Sequence, residues 1–419
     1  MEIDERTWEF VTRYAGEDPA RLRLRFAGKQ MEGVDIPLAL TQIEARRKAA
    51  HKLPWLRSAS QLGVRSEESG MPTDRFLFPN TLSAEQCTAQ AVADYHAEVA
   101  GQPGRLLDLT CGLGIDAMTM ARKGWQTDVC EISEPHCRAA GWNARLFGLK
   151  DFRVHHTDCA AFLESLPEGE RFDLIFVDPA RRSSTNARTY ALADCAPDIL
   201  GLLPQIARHT DRLLIKASPM LDVSQVLREL PCATHVHAVS LKGECKELLI
   251  DASQLGVRSE KSEVGFTAVD IGPEGRNAFS FKASECSGKA PVCVPSAEAA
   301  TPWSLLFEPG VALMKFASMA PLQSRFPDLL RLDANTHLYV GSEDHELPGR
   351  WLRVRAVLPY NKQASRDLPQ RVNVVTRNFP DTPEQVRKRL KIKDGGSDFL
   401  YCARIAGRPL LLLCEPLKC

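Results

Sequence analysis

Four acidic residues, Asp108, Glu131, Asp158 and Asp178, each stand where an apolar, strand-like run comes to an end. The first belongs to Leu107-Asp108-Leu109-Thr110-Cys111-Gly112-Leu113-Gly114-Ile115-Asp116, a glycine-rich turn between a strand pattern and a helix pattern. Glycines let a backbone approach a ligand closely, and the start of a helix offers it unpaired N–H groups. Gly112 to Ala117 also satisfies the G-x-G-x-x-A pattern of dinucleotide sites. Asp108, just before the glycines, points elsewhere. A carboxylate there pairs with a cationic amino group, such as that of a methionine moiety, and would repel a pyrophosphate. Glu131 can accept hydrogen bonds from both hydroxyls of a ribose, which suits either ligand. Asp158 can accept from the exocyclic amine of an adenine, or it can simply cap the helix that begins near Ala160. In Asp178-Pro179-Ala180-Arg181-Arg182 the carboxylate and proline can hold an amine or ring N–H of a substrate, and the arginines can meet a phosphate. The bland alternative for Asp178-Pro179 is a strand-ending turn.

The elements that must position these residues alternate. Strand patterns occupy 105–110, 127–132, 152–156, 172–178 and 212–217, separated by helix-length stretches such as 115–123 and 134–147. That alternation predicts a doubly wound α/β fold: a parallel sheet with helices on both faces and ligands at the carboxyl ends of its strands. Two further strands, 234–241 and 247–251, have only a short turn between them, which predicts a hairpin and an antiparallel edge strand. The first 80 residues have helical patterns, with a start at Asp18-Pro19 and a second helix over 37–53. A third, over 83–99, is expected to pack on the α/β region. Beyond Asp270 the pattern mixes strands near 338–340, 351–358, 400–405 and 410–414 with a helix over 384–390. The segment Ala59-Ser60-Gln61-Leu62-Gly63-Val64-Arg65-Ser66-Glu67 recurs identically at 252–260. Two copies so far apart make no solenoid, and mobile surface loops that tolerate deletion are expected for both.

Length and composition bound the function. A chain of 419 residues with 44% hydrophobic and 25% charged residues has globular proportions and room for two to four domains. No apolar run approaches the roughly 20 residues of a membrane helix. The acidic start Met1-Glu2-Ile3-Asp4-Glu5 lacks the apolar core of a secretion signal, so a cytoplasmic protein with reduced thiols is expected. The 13 cysteines include no Cys-x-x-Cys pair, and the histidines show no ligand spacing, so no metal is expected. Net charge is zero, yet residues 351–419 hold 14 Lys/Arg against 6 Asp/Glu, an excess of eight cations. Such asymmetry suits a polyanionic partner, or else a solvated surface.

Taken together, residues 105–251 resemble the class I S-adenosylmethionine-dependent methyltransferases. Asp108 to Gly114 match their first motif, Glu131 their ribose-binding acid, Asp158 their adenine-side acid and Asp178 to Arg181 their fourth motif. The resemblance implies S-adenosylmethionine as cofactor, held by Asp108, Thr110, Cys111, Gly112, Gly114, Asp116, Glu131, Ile132, Asp158 and Cys159. It assigns the acceptor side to Asp178, Pro179 and Arg181. Arg377-Asn378-Phe379-Pro380 and the basic run Val386 to Gly396 resemble the C-terminal THUMP-like domain of a bacterial methyltransferase family. That resemblance implies domains at 1–82 (helical), 83–252 (methyltransferase), 270–325 (ferredoxin-like) and 326–419 (THUMP-like). It also implies an RNA substrate, tRNA or rRNA, gripped by Arg377, Arg387, Lys388, Lys391 and Lys393. Arg387, Lys388 and Lys391 have the spacing of one helical face.

The fourth motif departs from the base-methylating pattern, because Ala180 and Arg181 stand where a second proline and a stacking aromatic residue are usual. Methylation at pyrimidine carbon 5 needs a cysteine nucleophile, and Lys216-Ala217-Ser218-Pro219 supplies none. Cys245 falls in the last turn of the sheet, where a structural role is expected. Transfer to a nitrogen or oxygen is therefore expected. The competing readings are an NAD-dependent oxidoreductase, an RNA-binding protein with a vestigial methyltransferase fold, and a small-molecule methyltransferase.

Overall fold

The computed structural model describes residues 3–56, 75–181, 191–253, 255, 263–287, 290–296, 305–316 and 318–417, with Arg181 described in its backbone only. The chain forms two compact units, one of residues 1–234 and 249–260, the other of residues 235–248 and 261–419.

Among the described residues the first unit opens with the helices α1 (Glu5–Tyr14), α2 (Pro19–Phe26), α3 (Ile36–Ala49), α4 (Thr81–Gln86) and α5 (Gln90–Ala100). Their starts are written in the sequence. Asp4, Asp18, Asp35 and Asn80 each cap a helix by accepting a backbone N–H, and Pro19 and Pro37 sit in first turns, where no donor is lost. The strand–helix region follows with β1 (Arg105–Asp108), α6 (Ile115–Arg122), β2 (Gln126–Glu131), α7 (Glu134–Leu146), β3 (Phe152–His156), α8 (Cys159–Ser165) and β4 (Leu174–Val177). It continues with the two-residue strands β5 (Ala180–Arg181) and β6 (Cys195–Ala196), then α9 (Ile199–His209), β7 (Arg212–Ala217) and α10 (Val223–Glu229). The strands are hydrogen-bonded in the order β7-β4-β1-β2-β3 and all run parallel. Central β4, Leu174 to Val177, is buried at every residue, as a strand covered on both faces must be.

The N-terminal helices are built into this unit. Trp8, Phe10, Tyr14, Leu22, Phe26 and Leu40 form one core with Ala139 of α7. Ala45, Ala49, Leu53, Phe76 and Phe78 pack with Leu113, Ile115 and Met118, so α3 backs the glycine turn. Buried Gln42 donates to the carbonyl of Phe78 (2.8 Å) and accepts its N–H (2.9 Å), and buried Asn143 does the same for Leu77 (2.9 and 2.7 Å). Two side-chain amides thus satisfy a buried stretch of backbone that has no strand partner there.

Strands β8 (Ala233–Leu241) and β9 (Glu244–Ser253) form the expected hairpin, joined by Lys242 (φ 54°) and Gly243 (φ 78°). Two successive positive φ values define the tight turn whose twist suits antiparallel strands. The antiparallel strand is not at the edge, however. β9 lies beside β7 and has β8 on its other side. Its apolar run Leu248 to Ile250 is fully buried, and burial on both faces is available only inside a sheet. The first repeat copy, 59–67, lies outside the described residues, as does most of the second. Ala252 and Ser253 of the second copy close β9, and Leu255 is buried, so that copy begins in the sheet rather than in a loop.

In the second unit β8 pairs in parallel with β10 (Gly265–Gly272), which pairs antiparallel with β11 (Gly275–Lys282). Its main sheet contains β12 (Leu305–Pro309), β13 (Leu330–Asp333), β14 (Thr336–Gly341), β15 (Gly349–Pro359), β16 (Asn373–Arg377), β17 (Phe399–Ile405) and β18 (Arg408–Pro416). Its order is β13-β14-β12-β15-β18-β17-β16, antiparallel apart from β16–β17. The helices are α11 (Val311–Met314), α12 (Ala320–Arg325) and α13 (Pro383–Leu390). Alternation along β17 and β18 sends Tyr401, Ala403 and Leu412 to one core and Leu400, Cys402, Leu411 and Leu413 to the other, where α13 contributes Val386 and Leu390.

Candidate active site

A cleft of about 500 Å³ opens at the carboxyl ends of β1, β2 and β4. Its lining includes Asp108 to Asp116, Cys130 to Ile132, Thr157 to Cys159, Asp178, Ala180 and Lys216. Ser83 and the segment Gln86 to Thr88, at the end of α4, close another side. The glycine turn takes the shape its residues allow: Gly112 (φ 55°) and Gly114 (φ 79°) are both left-handed, and Gly114 caps α6.

Each acid is held differently. Asp108 is almost fully buried, and one carboxylate oxygen accepts the N–H of Thr110 at 2.9 Å. Burial pushes its carboxyl up to about 8, against the opposing pull of that hydrogen bond. Glu131 is clamped by backbone donors, with the N–H of Gly112 on Oε2 and the N–H of Ser133 on Oε1, each at 2.8 Å. A carboxylate accepts about four hydrogen bonds, so these two orient it and leave capacity for a ligand. Asp158 caps α8, its Oδ1 accepting from Ala160 (2.9 Å) and Ala161 (3.3 Å), so the capping role anticipated for it is realised on the cleft wall. Ile132, which follows Glu131, is 71% exposed, an apolar side chain bare on the cleft lining.

On the acceptor side the Asp178 N–H donates to Thr110 Oγ1 at 2.7 Å, tying the fourth motif to the first. Pro179 is buried, while Ala180 and Arg181 pair antiparallel with Ala196 and Cys195. The Arg181 side chain and Arg182 lie outside the described residues. Asp116 turns into the protein, where Oδ1 meets His96 Nδ1 (2.8 Å) and Oδ2 accepts from Thr88 (2.5 Å). Burial alone would raise its carboxyl, but Lys216 and His96 bring it down to about 2.

Lys216, near the end of β7, is a site residue that no motif in the sequence marks. Its ammonium reaches Asp178 Oδ2 at 2.5 Å and Thr88 Oγ1 at 3.0 Å. A lysine ending the apolar run Leu213-Leu214-Ile215 of a central strand was the available signal. His136 was also unforeseen. On the cleft wall it links Ser83 Oγ through Nε2 and Ser133 Oγ through Nδ1, each at 2.8 Å. The cleft's thiols are quiet: burial pushes Cys87 and Cys159 up to about 11 and raises Cys111 and Cys130 as well.

The five basic residues expected to grip RNA lie on the second unit in unequal states. Arg377 is ion-paired with Glu308 at 2.7 Å. Arg387 is held by Glu384 (3.1 Å) and Asp394 (3.0 Å). Lys388, Lys391 and Lys393 are exposed and form no ion pair among the described residues. Lys391 does not share a helical face with Arg387 and Lys388. It follows the last turn of α13 in a left-handed conformation (φ 56°), because the helix stops at Leu390. Among the described residues no group of His, Cys, Asp or Glu could hold a metal ion, and no helix is long and apolar enough to cross a membrane.

Residues 349–416, β15 to β18, match the THUMP domain-like family. A solved structure from Porphyromonas gingivalis W83, described as a candidate methyltransferase, aligns over 100% of both chains with a TM-score of 0.81 and 28% identity. Fold and site together define a methyltransferase-type α/β protein that carries a THUMP-like domain. The chain shares the fold of that methyltransferase over its whole length, and its residues 349–416 match the THUMP domain-like model.

Two curated relatives match shorter stretches. The 23S rRNA (uracil(747)-C(5))-methyltransferase of Vibrio vulnificus is 32% identical over 125 residues, 30% of this chain and 32% of that protein. The 23S rRNA (uracil(1939)-C(5))-methyltransferase of Chromobacterium violaceum is 28% identical over 162 residues, 35% of this chain and 30% of that protein. The chain thus spans about a third of the length of these relatives.

Proposed function

We propose that the chain is a cytoplasmic enzyme that transfers the methyl group of S-adenosylmethionine to a nitrogen or oxygen of an RNA, tRNA or rRNA. The observation that carries this reading is the set of four acids at successive strand ends around one cleft, three of them fixed by backbone N–H groups. The relatives' activity on rRNA and the THUMP-like region support RNA as the substrate class.

In this reading Asp108 takes the cofactor's ammonium group, Glu131 its ribose hydroxyls and Asp158 its adenine amine, with Ile132 against the adenine face. Thr110, Cys111, Gly112 and Gly114 shape the backbone around the methionine end, and Cys159 adds to the adenine-side wall. Asp178 orients the acceptor, with Pro179 and Arg181 beside it. The acceptor's lone pair forms a bond to the methyl carbon, and the carbon–sulfur pair returns to sulfur, leaving a neutral thioether. A proton leaves the methylated nitrogen or oxygen for water. Positioning supplies most of the acceleration.

The curated relatives are named for uracil carbon 5, a reaction class that runs through a thiolate. Here burial keeps the cleft's cysteines as thiols, which favours a nitrogen or oxygen acceptor. The test begins with calorimetric titration of S-adenosylmethionine, S-adenosylhomocysteine and NAD. Saturable binding of the first two is expected, and binding of NAD alone overturns the reading. RNA from cells lacking this chain is then incubated with methyl-labelled cofactor and digested to nucleosides. Label on a nitrogen or oxygen is expected, and label in 5-methyluridine would refute the acceptor assignment.

A further inference from the structure

We infer that Lys216 is the positioning residue for Asp178, and that the buried pair Asp116–His96 is what fixes Lys216. The inference rests on the cleft being a methyltransferase site, as proposed above. Strands β4 and β7 are parallel neighbours with Val177 opposite Ile215, which sets Asp178 and Lys216 side by side where the two strands end. Their side chains meet at 2.5 Å. The pair is unequal: Asp178 is 42% exposed and Lys216 only 14%, so the carboxylate faces the cleft and the ammonium stands behind it. Lys216 acts on the acceptor through Asp178 and is not itself a catalytic residue.

A lysine has a long flexible stem, and a positioning group must itself be held. Lys216 is held from behind. Thr88 Oγ1 accepts from its ammonium at 3.0 Å, and Asp116 Oδ2 lies 3.9 Å away. Thr88 donates in turn to Asp116 Oδ2 at 2.5 Å, and His96, with no exposed surface, occupies Oδ1 at 2.8 Å. Thus α5, α6 and the segment after α4 converge on one ammonium group, and that group meets the one carboxylate the fourth motif presents. The arrangement assigns Asp116 to supporting Lys216 rather than to contacting the cofactor. A carboxylate fixed in this way needs no reorganisation when an acceptor displaces water from the cleft.

The test uses the full chain as K216M, K216R, D178N and the double variant K216M/D178N. Methyl transfer from labelled cofactor to RNA of cells lacking this chain is measured beside the affinity for S-adenosylhomocysteine. K216M should lower transfer roughly 30- to 100-fold, the cost of an acceptor group displaced by about 1 Å, with affinity changed less than about threefold. K216R should recover about tenfold. The decisive outcome is the double variant. If Lys216 acts through Asp178, K216M/D178N transfers no more slowly than D178N alone. Multiplying losses, wild-type transfer in K216M, or an equal loss of cofactor affinity would each overturn the inference. If the wild-type protein methylates none of this RNA, the RNA reading falls, and the positioning role is judged on a crystal structure of K216M with S-adenosylhomocysteine. An Asp178 carboxylate within about 0.5 Å of its place here would refute the role, and one turned away would sustain it.

Discussion

Each unit holds an ionic cluster, and the two are balanced in opposite ways. In the second unit Glu308 accepts from Arg350 (2.6 Å), Arg377 (2.7 Å) and the Tyr401 hydroxyl (2.6 Å). Burial alone would raise its carboxyl, but these partners hold it below the usual range. In the cleft of the first unit acids outnumber cations: Asp108, Asp116, Glu131, Asp158 and Asp178 line it with Lys216. Among them Asp108 is the most deeply buried, and burial, with Asp116 and Asp178 adding to it, pushes its carboxyl up to about 8. A buried carboxylate held by two guanidinium groups and a hydroxyl is fully satisfied within the sheet and braces it. A cluster short of positive charge is completed by a cation, and S-adenosylmethionine carries both a sulfonium and an ammonium group.

The contrast breaks at its strongest point if Glu131→Ala leaves ligand affinity intact. Removing this acid takes away the anchor of Gly112 and, on the proposed reading, the ribose contacts, so S-adenosylhomocysteine should bind about 100-fold more weakly by calorimetry. In the Glu308 cluster the corresponding loss should fall on stability. Glu308→Ala strands two half-exposed arginines and should lower unfolding free energy by about 2 kcal/mol, seen as a lower Tm, with ligand affinity unchanged.

A pH series sharpens the cleft side. The ligand's cation favours ionised Asp108, whereas the empty cleft keeps it protonated below about pH 8. Binding must then release a proton, so affinity should rise up to about tenfold per unit from pH 5.5 to 7.5. Asp108→Asn should weaken binding and flatten that slope, and a slope unchanged in the variant would refute the account of Asp108. The smallest effect is expected on the basic surface. Lys388→Ala, which breaks no ion pair among the described residues, should weaken RNA binding a few-fold and reduce the salt slope by about one. Arg387→Ala should do less, because Glu384 and Asp394 already occupy its guanidinium.

Local pattern was enough for the strand–helix region. Its five parallel strands, the hairpin after them and the glycine turn follow from apolar runs of strand length, from helix caps and from glycines that tolerate positive φ. The four acids were legible because each ends a strand, and the carboxyl ends of parallel strands must share one rim. Less was legible beyond Asp270. β10 and β11 were not anticipated: only Phe279-Ser280-Phe281-Lys282 alternates, which is too short beside the glycines and polar residues of 272–277 to mark a strand pair. α1 was missed at the other end, although Asp4 caps it and Trp8, Phe10, Val11 and Tyr14 form its buried stripe.

The sequence by itself determined which side chains stand at the ends of β1 to β4 and β7, because period, length and capping are local properties. It could not determine what those side chains would face. That β9 enters beside β7, that Asp116 turns inward to His96, that Arg377 is spent on Glu308 and that Lys216 meets Asp178 were decided by the tertiary structure. The physical reason is common to all four. A strand's place, or a charge's partner, is chosen by burial and pairing between segments distant in the chain, and spacing along the chain does not carry that choice.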